Sequence, residues 1–171
     1  MDHKTLIFAI FVGIILYFSA CREESPFEYP QTNDDLITIE RGIWGNVWYW
    51  EGYFNPPYEF GTITPVEREI HVFERVILDS MENKDEYPFF SYVDSEFYAS
   101  ARSDIFGFYQ VPVDTGSYHF SLFIYENDKY YAVEVNDSGY VQSVNISGTL
   151  SRTSLRMKNL NITTAASFAE F

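Results

Sequence analysis

The run that decides the fold is Phe106-Gly-Phe-Tyr-Gln-Val-Pro-Val-Asp-Thr-Gly-Ser-Tyr-His-Phe-Ser-Leu-Phe-Ile-Tyr-Glu126. Tyr118, Phe120, Leu122 and Ile124 recur at every second position, the period of a strand with one buried face. The preceding run, Phe106 to Val113, alternates in the same way and puts Tyr109, Val111 and Val113 on one side. Between the two, Asp114-Thr115-Gly116-Ser117 is turn chemistry, with Gly116 free to adopt the backbone angles that a tight return needs.

Outward from this pair, β-branched and aromatic runs keep recurring between turn signals, which predicts an all-β sandwich. Ile37 to Ile39 is a first candidate strand. Ile43 to Trp50 follows, with Ile43, Val47 and Tyr49 on one face and Trp44, Trp48 and Trp50 on the other. Because both faces are bulky, at least one aromatic row needs cover from a tether, another sheet or a partner. Glu69 to Leu78 fits a strand through Ile70, Val72, Val76 and Leu78, although Ile70, Phe73 and Ile77 also stand at helical spacing; strand is the favoured reading. Met81 to Glu86 is polar and reads as a loop. Phe97 to Arg102 and Phe106 to Val113 flank Ser103-Asp104-Ile105, which looks like a hairpin connection. Tyr130 to Val135 and Val141 to Ile146 read as a further hairpin around Asn136-Asp137-Ser138-Gly139. From Leu155 and Met157 to Leu160 and Ile162 the apolar parity slips, which predicts a β-bulge or a break into two strands.

The segment Gly107 to Tyr118 resembles the pattern of carboxypeptidase regulatory-like domains, in which a glycine precedes an alternating strand and a Gly-x-Tyr opens the next one; here that is Gly116-Ser-Tyr118. Gly45-Asn-Val-Trp-Tyr-Trp-Glu-Gly52, followed by Val66-Glu-Arg-Glu-Ile70, is similar to the opening of Bacteroidota lipoproteins that carry this domain. The family's turn usually holds prolines where Asp114 and Thr115 stand. The resemblance spans roughly Gly42 to Phe168 and implies a transthyretin-like Greek-key sandwich of about seven strands. Such domains are mostly non-catalytic accessories, and a fold by itself assigns no function.

The first residues carry an address. Asp2-His3-Lys4 is a short polar start, and Thr5 to Ala20 is an almost uninterrupted apolar run ending in small residues, as in a signal peptide. It is shorter than the roughly 20 residues of a spanning helix. The junction Phe18-Ser19-Ala20-Cys21 resembles a lipobox, with Phe18 in the place of the usual leucine, and the single cysteine of the chain falls there. The expected organisation is a signal over residues 1–20, a lipidated Cys21 and flexible tether over 21–35, and one sandwich over 36–171. Cys21 would join the chain to the membrane, and Arg22-Glu23-Glu24-Ser25 resembles the acidic surface-export signals of Bacteroidota lipoproteins.

Twenty-five acidic residues against 11 basic ones give a formal charge of −14. With no Lys/Arg cluster to follow a phosphate backbone, nucleic acid is a poor partner. One cysteine permits no intrachain disulfide and no zinc site of Cys/His spacing. No phosphate loop, Gly-x-Ser-x-Gly elbow or His-Glu-x-x-His motif is present, and neither metal nor cofactor is expected. His71 and His119 alternate with apolar residues and should face outward; Glu67, Glu69 and Glu74 read as a charged strand face.

That leaves an aromatic set, Trp44, Trp48, Trp50, Tyr53, Phe54 and Tyr58. It is either core and edge cover or a platform on which sugar rings or an envelope protein could stack, with Trp48, Trp50, Tyr53 and Tyr58 as the candidate contacts. The leading expectation is a non-enzymatic outer-membrane lipoprotein with an accessory or adhesion-type module. A glycan-binding surface module is the alternative, and an unrecognised envelope hydrolase the second.

Overall fold

A computed structural model describes residues 34–53, 60–114, 116, 118–132, 134–146 and 155–163. Among these residues the chain is an all-β sandwich of two sheets.

The first sheet is organised by one long strand, β1 (Gly42–Tyr53). One of its edges is taken by two short antiparallel strands laid end to end, β6 (Phe108–Pro112) beside Gly42 to Asn46 and β2 (Phe60–Pro65) beside Trp48 to Tyr53. On the other edge lie β10 (Leu155–Met157) and β11 (Leu160–Thr163), both parallel to β1. The partner therefore changes on both edges at the same place, around Asn46 and Val47. Gly107 bridges one change through Val47 N donating to its carbonyl at 2.8 Å, and Lys158-Asn159 bridges the other.

The second sheet is centred on β7 (Tyr118–Glu126), with β3 (Glu69–Glu74) and then β5 (Phe97–Arg102) on one side. The other edge of β7 is again shared, by β8 (Lys129–Tyr131) at one end and β9 (Ser143–Ile146) at the other, with β4 (Phe89–Phe90) beyond β8. Where β8 and β9 part, Gln142 fills the gap: its buried Nε2 donates to Leu122 O at 2.7 Å. Eleven strands thus stand among the described residues where about seven were expected, because the long strands β1 and β7 are each flanked by short fragments rather than by full-length partners.

Between the sheets, Ile43, Val47, Tyr109 and Val111 meet Ile70, Val72, Phe120, Leu122 and Ile124 in the main core. The middle of the outer face of β7 and β3 is buried too. Phe73 and Phe123 form a second cluster with Val76, Met81, Phe90 and Val141 from the segments that cross over it. Part of that cover is pinned by the Glu86 carboxylate, which accepts from Ser91 N and Oγ; these bonds hold Glu86 below the usual carboxylate range.

Several expectations need correction. Ile37 to Ile39 is no strand; Thr38 instead exchanges hydrogen bonds with the Gln110 side chain, at 3.0 and 2.7 Å. The strand from Glu69 ends at Glu74, and Leu78–Ser80 and Lys84–Glu86 are single 3-10 turns. Ser103 to Gly107 does not close a hairpin, since β5 belongs to one sheet and β6 to the other. The Asn136 turn joins only a single bridge, Val135 to Val141, before β9 leaves to pair with β7. Instead, β7 and β8 form the tight hairpin, through Asn127 and Asp128 at φ 52° and 58°. The parity slip near Met157 is, as expected, a break into two strands.

Candidate functional site

Alternation along β1 sends Ile43 and Val47 inward and Trp44 and Trp48 to the outer face. That outer row is nonetheless buried, Trp44 at 8% and Trp48 at 7% exposure, with Asn46 between them wholly enclosed. Trp48 is therefore no open stacking surface. Trp50 is half-buried. Tyr53 ends β1, opposite Phe60, and its ring, like Tyr58 and Cys21, lies outside the described residues.

Asn46 Oδ1, Trp48 Nε1 and Asn161 Oδ1 are buried on this face without hydrogen-bond partners, and Asn161 stands directly opposite Trp48. One donor and two acceptors thus sit buried on one face, where an unsatisfied polar group costs about 1–3 kcal/mol. Nothing in the alternation pattern signals this, because Asn46 and Asn161 occupy positions that read as solvent-facing.

The outer face of the second sheet carries His71. Its Nε2 lies 2.7 Å from Glu69 Oε1, and its ring stacks on Tyr125 at 4.5 Å with Phe97 edge-on at 5.4 Å. The expectation that His71 points away from the core holds, but the ring is enclosed by aromatics rather than free in water. His119 is exposed. A carboxylate beside an imidazole is the orienting half of an acid/base device, and its other half is a nucleophile or substrate at the second nitrogen. Here Nδ1 is buried with no partner, so among the described residues no hydroxyl completes the constellation. Nor do the described residues bring together three or more His, Cys, Asp or Glu side chains able to hold a metal.

A cavity of about 190 Å³ opens at the end of the sandwich beside the Asn127 turn, floored by Ile124 and Ile162 and walled by Phe89 and Tyr131. It is small beside ligand pockets of roughly 300–1,000 Å³.

The most exposed apolar pair of the described residues lies elsewhere, at Ile105 and Phe106, 67% and 59% exposed. They cap the Ser103 to Gly107 connection, which is rigidly built. The Asp104 carboxylate accepts from Phe106 N and Phe108 N, both at 2.9 Å, while Asp104 N and O pair with Phe108 O and Gly107 N. Asn46 Nδ2 donates to Phe106 O at 3.3 Å. The aspartate and glycine were legible as turn chemistry. The signal passed over was two large apolar residues placed between them, where a turn normally carries polar ones.

No protein-family model, no curated protein and no solved structure matches this chain. Among the described residues no helix is long and apolar enough to cross a membrane.

Proposed function

We propose that this chain is a lipid-anchored outer-membrane protein of the bacterial envelope, held through acyl groups on Cys21, whose β-sandwich serves as a non-enzymatic accessory or adhesion module. The observation that carries the reading is the place of Cys21. The only thiol of the chain ends an apolar run, directly before the charged Arg22-Glu23-Glu24. Each buried methylene contributes roughly 0.8 kcal/mol, so two or more acyl chains give a stable anchor where one does not.

The all-β sandwich of the described residues is the class of fold that the resemblance to transthyretin-like lipoprotein domains implies. The two glycines of the resembling segment, Gly107 and Gly116, have φ of 76° and 152°, values that favour glycine. The glycan-stacking alternative now rests on Trp50, Tyr53 and Tyr58, since the Trp48 ring is enclosed.

Cys21→Ala is expected to abolish metabolic labelling with a fatty acid and to move the protein from the membrane to soluble or unprocessed fractions. Acyl labelling that persists in the variant overturns the anchor.

A further inference from the structure

We propose that the Ser103 to Gly107 loop is a membrane-contacting tip, which presses Ile105 and Phe106 into the headgroup boundary of the bilayer holding Cys21; its ligand is neutral phospholipid, and the inference rests on the lipid-anchor reading. Three observations lead there.

The first is the build of the loop. Its two most exposed side chains are both large and apolar, and the backbone on either side of Ile105 is hydrogen-bonded, through Asp104, Phe106 and Gly107. A loop already held in one conformation loses little freedom when it inserts, so the contact keeps most of its apolar gain.

The second is where the tether enters. Thr38 is tied in both directions to Gln110, which follows Phe106 on the same stretch of chain, about 13 Å away at strand spacing. Leu36, 42% exposed, lies beside that junction. From Cys21 to Thr38 the chain can reach at most about 60 Å when fully extended. The tether thus enters against the strand that the loop leads into, and the reach from Cys21 keeps the bilayer accessible to the tip.

The third is size and charge. Two side chains fall far short of the roughly 800 Å² per partner of a stable protein interface, but they suffice as the weaker member of a pair of membrane contacts when the first anchor supplies a high effective concentration. The neighbouring charges are mixed, Arg102 with Glu67 and Arg68 with Glu126, and the whole chain carries −14. An anionic surface would repel it, so apolar contact with neutral lipid is the mode that fits.

The test couples the sole thiol, Cys21, of the mature chain to a maleimide phospholipid in phosphatidylcholine vesicles, with Phe106→p-benzoylphenylalanine as a photocrosslinker. Irradiation is expected to give a protein–lipid adduct several-fold above that from the same probe at exposed Ser138. Ile105→Glu should lower the yield several-fold while leaving the melting temperature unchanged. A yield no higher than at Ser138, or adducts to a second protein copy instead of lipid, overturns the tip. Because the coupling is chemical, a failure here stands apart from a failure of Cys21 acylation in cells, which fatty-acid labelling reads separately.

Discussion

At the scale of single residues, a missing side chain sets one of the tight constraints among the described residues. A Cβ on Gly45 would lie 2.0 Å from the carbonyl oxygen of Lys158, on the backbone that links β10 to β11. Gly45→Ala must push that edge off β1 and is expected to destabilise by about 1–3 kcal/mol, read as a lower urea midpoint. Gly139→Ala is the useful contrast: a Cβ there makes only ordinary van der Waals contact, with Ile77 at 3.5 Å, and the left-handed φ of 78° alone opposes a side chain. A loss of about 1 kcal/mol is expected for it. If Gly139→Ala proves the worse of the two, the close approach at Gly45 is not what matters. The turn glycines Gly107 and Gly116 were legible because their reason is local. The reason for Gly45 is a backbone atom near the other end of the chain, which no local pattern contains.

At the scale of elements, alternation identified most of the strands and said little about their partners. The Tyr118 strand and the break after Met157 were readable because a half-buried strand must show its period and any slip in it. The connection at Ser103 was misread as a hairpin because a turn looks the same whether the chain returns to its own sheet or crosses to the other one. Side chains that stand in for missing ladder bonds were equally hidden. Asn159 Oδ1 accepts from Asn46 N at 3.0 Å at the point where β10 gives way to β11. Asn159→Ala should leave that buried N–H unpaired, at a cost of about 1–3 kcal/mol, and speed amide exchange in the Trp44 to Trp48 segment while β7 keeps its protection. Unchanged exchange at Asn46 would show that the side chain is not the bridge.

At the scale of the whole molecule, the abundance of tyrosine makes alkali the vulnerable side. Burial pushes Tyr109 far above the ordinary phenol value of 10.0, and raises Tyr131 and Tyr87 as well. Above pH 10 the unfolded chain releases protons that the folded chain retains, so stability is full below about pH 10 and falls as pH rises beyond it. Tyr109→Phe should flatten that fall. It should also lower stability at neutral pH, because the phenol donates to Lys158 O at 2.6 Å. Urea midpoints at pH 8 and pH 11 check both, and an equally steep alkaline loss in Tyr109→Phe would mean that another group governs it. The candidate site was the least legible level of all: whether an aromatic row is core or platform depends on what lies across it, and Trp48 is enclosed while Ile105 and Phe106 are not. The parallel pairing of β1 with β10 and β11 reaches further still. Asn46 meets Asn159 across 113 residues of chain, so the central strand of the first sheet lacks one whole edge until the last strands arrive. Contacts this remote make for slow closure. A polypeptide that emerges N-terminus first, from a ribosome or through any pore, therefore holds β1 half-partnered until β10 and β11 are out, and the pairing that finishes this sheet also sets when it can finish.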